Sequence, residues 1–316
     1  MITATAATDH RRKILRRMAQ SCLLLVVLIV VLSAFVRHRG VGLGCEDWPV
    51  CYGQDLRLTQ AGETVAVGDD VALARQAHRA VASMTLILVI AMALVSFTTR
   101  PALRREGGLA LSLLALALGL AALGVVTPGS RIPAVTLGNL LGGFAMLALC
   151  ARMITVTGEP DRPRDIALAR MASLVAILLI LQIALGALVS ATHAGLSCRS
   201  LAECMELTAS GGWSFAGLDP WRVALPGNTD VASGLAGAPV QLAHRVGGLV
   251  AAAAVLILGL LAWRRGRRCS ALGLAGLLLG VAVLGAFIGD GNLPLPAVLL
   301  HNLGAASLLA MVLRMP

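Results

Sequence analysis

The chain alternates between long apolar runs and short polar segments. Eight runs of about 17–21 residues carry almost no charge, and one helix needs about 20 apolar residues to cross a hydrocarbon core. We therefore predict eight membrane-spanning helices. The runs are Met18–Val36, Ala80–Phe97, Leu109–Val126, Ala134–Ala151, Met171–Ala191, Val246–Trp263, Ala271–Ile288 and Ala297–Leu313.

The overall composition agrees with this pattern. Of the 316 residues, 58% are hydrophobic, and the mean hydropathy is +0.85. An ordinary soluble domain is nearer half apolar, so that class is excluded. The first run is too long, and too poorly followed by small residues, to be only a cleaved signal peptide.

The net charge of +10 suggests nucleic acid at first, but its distribution indicates a membrane topology. Cations precede the first run, close the chain, and cluster between the second and third, fourth and fifth, and sixth and seventh runs. This positive-inside pattern predicts cytoplasmic N- and C-termini and contact with anionic lipid, and no binding to nucleic acid. Typical cations are Arg11, Arg12, Arg100, Arg104, Arg105, Arg162, Arg164, Arg264, Arg265 and Arg314.

Three sequence motifs occur twice, in the same order. VRHRGVGLGCEDWPVC at 36–51 aligns without gaps on VSATHAGLSCRSLAEC at 189–204. Ala-His-Arg recurs at 77–79 and 243–245, and PAVTLGNL at 133–140 returns as PAVLLHNL at 296–303. A repeat of four helices returns the chain to its starting side, so both halves have the same orientation.

These repeats define the predicted fold. We expect an all-α polytopic membrane protein built as two repeated four-helix bundles, residues 1–160 and 161–316. A pseudo-two-fold axis along the membrane normal relates the bundles. The join is the polar segment 155–170, which contains glycine and two prolines.

The seven cysteines divide by predicted side of the membrane. Cys45, Cys51, Cys198 and Cys204 fall on the outer, oxidising side. Close cysteine pairs there favour disulfides. A free redox dithiol and a metal site stay open as alternatives, although five intervening residues exceed the usual metal-ligand spacing.

The histidines carry the candidate chemistry. His78, His244 and His301 each enter the outer end of a span: the second, sixth and eighth. His244 and His301 are expected at similar depth, where two imidazoles facing across a bundle can clamp the iron of a heme from both sides. His10 lies in the basic tail, and His193 lies beside the second cysteine motif.

Neighbouring residues support a flat cofactor. Arg245 could pair with heme propionates, and small residues would leave room for the ring: Gly247, Gly248, Ala251, Gly304 and Ala305. The competing interpretations are an interfacial His-Arg anchor, a proton path and a zinc site. Zinc is disfavoured because no carboxylate or thiolate accompanies the histidines on these helices.

At this point the chain resembles the heme A synthase family. The resemblance covers nearly the whole length: eight helices in two halves, GLGCEDWPVCYG at 42–53, and His-Arg opening the second and sixth spans. The second cysteine phrase keeps Ala194 to Cys198 and Cys204 but loses the Asp-Trp-Pro of the first.

The resemblance implies a multi-pass enzyme of the bacterial inner membrane that oxidises the C8 methyl group of heme O to a formyl group. The product, heme A, serves terminal oxidases. It also implies a heme b cofactor between His244 and His301, with Arg245 nearby, and a substrate heme at His78, with Arg79 beside it. Disulfides are implied within Cys45–Cys51 and Cys198–Cys204. Heme O synthase and oxidase assembly factors are implied partners.

Two positions depart from the family pattern. Gly138 stands where the family has a histidine on the fourth span, and Arg75 stands where it has a glutamate one turn before His78; Gln241 is the second-half counterpart of Arg75. His38 could supply a ligand instead. The carboxylate could come from Glu63, Asp69 or Asp70.

Other classes of function stay open. The departures suggest a non-catalytic heme-binding or heme-delivery protein as the main alternative. A thiol-oxidising membrane protein would leave the inward histidines unexplained, and a transporter lacks an evident broken helix. The segment 210–239, rich in glycine and proline, is predicted as an irregular lid or interfacial loop.

Overall fold

The computed structural model describes residues 2–39, 68–127, 130, 132–158, 165–214, 216–222, 234–288 and 294–315. Within them the chain is helical and has no strand. The helices are α1 (Ile2–Arg39), α2 (Asp69–Phe97), α3 (Arg104–Val126), α4 (Pro133–Val156), α5 (Ile166–Ala191), α6 (Leu201–Ser210), α7 (Gly234–Arg264), α8 (Arg268–Phe287) and α9 (Leu295–Leu313).

Eight of these helices are long and apolar enough to cross a membrane; the short α6 is not among them. The eight predicted spans are therefore confirmed, and the chain is a multi-pass membrane protein. The helices extend well beyond the apolar runs, most of all α1, α2 and α7. Hydropathy marks only the part of a helix that meets lipid, whereas backbone hydrogen bonding continues into polar sequence.

Helix α7 corrects two predictions. It begins at Gly234, so His244 lies nearly three turns into the helix rather than in its first turn. The end of the predicted irregular segment 210–239 is also helical, and Pro239 lies inside α7. Proline removes one helical hydrogen bond, but burial of the flanking Ala238 and Val240 holds the segment in place.

The helices pack as two closed sets of four. In the first, α1 contacts α2 and α4, and α3 contacts α2 and α4. In the second, α5 contacts α7 and α9, and α8 contacts α7 and α9. Helix α4 packs on α5 and α9, and α1 also reaches α9, which joins the sets. The predicted boundary at residue 160 lies outside the described residues.

Polar side chains fix the helix ends that lead into the second set. Asp165 caps α5, its carboxylate accepting a hydrogen bond from the Leu168 N–H at 3.1 Å, and it pairs with Arg265. Ser200 caps α6 by accepting from the Glu203 N–H at 3.1 Å. Both residues satisfy donors that a helix N-terminus leaves free.

Candidate functional site

A disulfide closes the loop between α5 and α7. Cys198 and Cys204 are bonded, with their Cα atoms 5.2 Å apart, and both residues are buried. The predicted pairing is thereby confirmed for these two cysteines. Cys45 and Cys51 lie outside the described residues, so their pairing stays a prediction.

Helix α7 holds this loop with two side chains that lie one turn apart. Gln241 Nε2 donates to the Gly195 carbonyl at 2.9 Å. The guanidinium of Arg245 donates to the carbonyls of Arg199 and Cys198, both at 3.0 Å. Arg245 therefore braces the disulfide loop. Its contact with heme propionates stays a prediction.

The two histidines predicted to lie at matched depth are neighbours. The ring centroids of His244 on α7 and His301 on α9 are 6.5 Å apart, and their planes are inclined at 73°. Both residues are partly buried. Two helices that are far apart in sequence thus bring two imidazoles together inside the second set of four.

This separation fits a single metal ion between the rings. A metal–imidazole bond is about 2 Å long and the ring centroid lies about 1 Å beyond the nitrogen, so two rings on opposite sides of one ion have centroids about 6 Å apart. Each ring plane contains its own metal–nitrogen bond, so an inclination of 73° is compatible. Two imidazoles alone are fewer than the protein ligands of a zinc site, whereas His244 and His301 would be sufficient to hold a heme iron.

The orientation of His301 leaves the correct nitrogen free. Its Nδ1 lies 3.0 Å from the Val281 carbonyl oxygen on α8. A carbonyl only accepts, so Nδ1 carries the proton and Nε2 keeps its lone pair for a metal. Gly285, one turn after Val281, admits the ring: a Cβ there would stand 3.1 Å from the His301 Cε1.

A side-chain amide on α5 holds His244 with the opposite polarity. The Gln182 amide nitrogen donates to the His244 carbonyl at 2.9 Å and lies 3.0 Å from the ring Nδ1. An amide nitrogen only donates, so this contact makes Nδ1 the acceptor and leaves the proton on Nε2; Nε2 keeps its lone pair only when the amide turns its oxygen to the ring. Gln182 Oε1 is buried without a partner among the described residues, and an amide can present either end to a ring nitrogen. Gly186 admits the ring, because a Cβ there would stand 2.8 Å from the His244 Cε1.

The small residues singled out in the sequence lie against neighbouring helices. Gly247 and Gly248 face the Gln182 side chain, and a Cβ at Gly304 would stand 2.7 Å from Val281 Cγ2. These positions allow close packing between helices, and their role beside a flat ring stays a prediction. Ala251 is buried in the core.

His78 occupies a different environment in the first set of helices. It lines a cavity of about 240 Å³ between α1, α2 and α4. The cavity also contains three arginines, and its remaining lining includes two polar residues of α4. The lining residues are Ser33, Val36, Arg37, Arg75, His78, Arg79, Thr136 and Asn139.

Among the described residues, the position opposite His78 offers no second imidazole. Asn139 lines the cavity, while Gly138 faces α3, where its Cβ would stand 3.3 Å from Leu123 Cδ2. The His38 side chain and Glu63 lie outside the described residues. Asp70 is paired with Arg39 at 3.1 Å, so this carboxylate is already engaged by a cation.

His193 lies between α5 and the disulfide loop. Its backbone is left-handed, with φ of 56°, a conformation uncommon for residues other than glycine. Burial lowers the pKa of His193 to about 4, because desolvation disfavours the charged ring. His193 is therefore neutral at physiological pH.

Comparison with known proteins decides the family. The sequence model of the family described as COX15-CtaA, cytochrome oxidase assembly protein, matches residues 16–313. The chain belongs to this family. The match reaches all eight membrane-spanning helices, so it covers the same length of chain as the resemblance seen in the motifs.

Two relatives of the chain carry the name heme A synthase. The protein from Shewanella oneidensis is 30% identical over 315 residues, which cover 91% of each chain. The protein from Shouchella clausii is 29% identical over 199 residues, which cover 60% of this chain and 64% of that protein.

The sequence reasoning missed the residues that hold the two histidine rings. Gln182 gave a usable signal, because an uncharged polar residue within an apolar span usually faces the interior of a bundle. Gly186 and Gly285 gave none, since glycines are frequent in spans. The Val281 contact uses a backbone carbonyl and is invisible in the sequence.

Proposed function

We propose that this chain is a membrane enzyme that oxidises the C8 methyl group of heme O to a formyl group, giving heme A for terminal oxidases. The family match over residues 16–313 and a relative named heme A synthase that aligns over 91% of both chains support this assignment.

The observation that carries the proposal is the 6.5 Å separation of the His244 and His301 rings. The Nε2 atoms of these residues would hold the iron of a resident heme b. Such a heme supplies one-electron transfer. The Val281 carbonyl and the Gln182 amide keep the two rings in place, and hydrogen bonds of this kind tune and stabilise ligand histidines.

The cavity beside His78 would receive the substrate, heme O. His78 is the candidate catalytic residue, and Arg79 lines the same cavity. In the second half, Gln241 and Arg245 instead fasten the disulfide loop to α7. That bracing would keep the mouth of the cofactor site closed to solvent.

Charge and cysteine chemistry support one arrangement in the membrane. Residues 1–160 and 161–316 would form two repeated bundles, related by an axis along the membrane normal, in a bacterial inner membrane. Both termini would face the cytoplasm, beside the arginine clusters. The Cys198–Cys204 disulfide would face the oxidising outer side. Heme O synthase and oxidase assembly factors are the expected partners.

The test uses a host that makes heme O but no heme A. Extracted pigments are separated by chromatography after expression of the unsubstituted chain, His78→Ala or His10→Ala. We expect heme A with the first and third, because His10 is exposed in the N-terminal tail, and none with His78→Ala. Heme A at unchanged levels with His78→Ala would remove this residue from the mechanism.

A second candidate function is non-catalytic heme binding or delivery. Gly138 and Arg75 favour it, since the first half lacks the second histidine and the glutamate of the family pattern. In the same host, a purified protein that shows a b-type reduced-minus-oxidised spectrum but yields no heme A would support this candidate.

A further inference from the structure

The cavity beside His78 concentrates positive charge, and its described lining includes no acid. Arg37 comes from the end of α1, and Arg75 and Arg79 lie one turn apart on α2; all three line the cavity. Among the described residues no carboxylate lines it, and the nearby Asp70 is engaged by Arg39 at 3.1 Å and by the Val71 N–H at 2.8 Å.

Arg37 is the most constrained of the three. Its Nη1 donates to Ser33 Oγ at 2.6 Å, which fixes the guanidinium against α1. Its Nε is buried and has no partner within the described part of the chain. A buried donor on a charged group without a partner is costly, so this arrangement points to a ligand that completes it.

The second half shows that such a cluster is not required by the fold. In the aligned repeats, Ser190, Gln241 and Arg245 take the places of Arg37, Arg75 and Arg79. Only one of the three is a cation, and its guanidinium is bonded to the Cys198 and Arg199 carbonyls. At these three aligned positions, the excess of positive charge therefore belongs to the first half.

The size of the cavity limits what it can hold. Sites that enclose a drug-sized ligand measure about 300–1,000 Å³, and this cavity measures about 240 Å³. It can accept one edge of a porphyrin but not the whole macrocycle. The acidic edge of a heme carries two carboxylates, and arginine forks match carboxylates in geometry and charge.

We propose that Arg37, Arg75 and Arg79 form a binding site for the carboxylates of the substrate porphyrin and thereby set which edge of the macrocycle enters beside His78. This inference rests on the proposed function, in which the first half takes the substrate. Arg75, which departs from the family pattern, becomes a substrate-binding residue. An anionic lipid phosphate offers related chemistry and must be distinguished by experiment.

The experiment isolates the first half within the full chain. His244→Ala/His301→Ala removes the cofactor ligands, and the protein is placed in nanodiscs of zwitterionic lipid. Hemin and hemin dimethyl ester, whose carboxylates are blocked, are titrated by absorbance. We expect the ester to bind at least about tenfold more weakly, because it cannot accept charge-assisted hydrogen bonds from the arginines.

Substitutions then assign the effect to residues. In the same background, Arg37→Gln, Arg75→Gln and Arg79→Gln should each weaken hemin binding by about tenfold and leave ester binding unchanged. Arg199→Gln is the matched control, since this exposed arginine does not line the cavity. Arg37→Lys should cause an intermediate loss of hemin affinity, because lysine keeps the positive charge but lacks the forked donors of the guanidinium. Thermal melting verifies that each variant folds. The comparison of hemin with its ester uses no arginine variant, so it tests the site even if a variant does not fold.

The outcomes separate the two proposals. Equal affinities for hemin and its ester, with no effect of the arginine substitutions, would overturn the carboxylate site and leave the proposed function intact. If the arginine substitutions weaken binding to phosphatidylglycerol vesicles but not to hemin, the cluster binds lipid. That result would also overturn the carboxylate site. No hemin binding in the His244→Ala/His301→Ala background would overturn the substrate half itself, together with this inference.

Discussion

The equivalent histidines of the two halves, His244 and His78, lie in opposite kinds of environment. His244 packs into space provided by Gly186 and is hydrogen-bonded by Gln182, and it has His301 as a neighbour. His78 lines an open cavity among arginines, with Gly138 where the second imidazole would stand. A site that retains a cofactor needs fixed ligands, whereas a site that exchanges substrate and product needs an accessible one.

Position by position, the aligned repeats explain the contrast. Ile29 and Ser33 in α1 correspond to Gln182 and Gly186 in α5. The first half therefore has neither the amide that would orient His78 nor the gap that would receive its ring. Ser33 instead accepts a hydrogen bond from Arg37 and so helps to place positive charge at the cavity.

The largest effect is expected from filling the space beside His244. In Gly186→Ala, the new Cβ would stand 2.8 Å from the ring, and the ring must move. Overpacking of this kind costs about 1–3 kcal/mol, so heme affinity should fall about ten- to a hundredfold. Gly280→Ala is the control, because its Cβ meets nothing within 4 Å. Equal hemin affinities of the two variants would show that Gly186 does not shape the site.

A smaller loss is expected from removing the amide that holds the ring. Gln182→Leu takes away the hydrogen bond to the His244 carbonyl and the contact with Nδ1. Partners of ligand histidines are typically worth 10–100-fold in affinity, and we expect about tenfold here. Gln241→Leu, which loses only a bond to the loop carbonyl of Gly195, should leave the heme spectrum and reduction potential unchanged. If Gln182→Leu also leaves both unchanged, the amide has no part in holding the ligand.

The disulfide should matter for stability more than for heme binding. Cys198→Ala/Cys204→Ala removes the cross-link but leaves the Arg245 and Gln241 contacts. We expect a loss of about 2 kcal/mol in the free energy of unfolding, measured by thermal melting in detergent, with the heme spectrum kept. Cys269→Ala, at an exposed free cysteine, should not change the melting temperature. A lost heme spectrum in the double variant would instead give the disulfide a direct role at the site.

The smallest effect concerns pH and the loop histidine. His193 has a folded-state pKa of about 4, below the usual value of about 6.5, so the unfolded chain binds more protons between these limits. Stability should therefore fall as pH decreases from about 6.5 toward 4. His193→Asn, which tolerates the left-handed backbone, should reduce the fall in melting temperature between pH 7.5 and pH 5. An identical fall in both proteins would contradict this assignment.

Much of the fold could be predicted from the sequence because the apolar runs are surrounded by lipid. Long apolar runs must become helices there, and the repeats together with cation placement predict how they are grouped. The neighbouring positions of His244 and His301 followed from helix direction alone. Helix ends were less accessible: α7 begins at Gly234, because burial around Pro239 outweighs the local preference of proline.

Side-chain directions were the part that sequence could not give. Arg245 donates to the Cys198 and Arg199 carbonyls, and this contact was not predicted, since a folded loop presents acceptors that no motif reveals. The contact of Gly247 and Gly248 with the Gln182 side chain was not predicted either. Such contacts depend on how two helices face each other, which periodicity does not specify.

The central claim is that one heme iron is held between His244 and His301. Low-temperature electron paramagnetic resonance of the ferric purified protein tests it most directly, because two axial imidazoles give a low-spin signal. We predict this signal in the unsubstituted protein and in His78→Ala, and its loss in both His244→Ala and His301→Ala. A low-spin signal that survives either of the last two substitutions would contradict the claim.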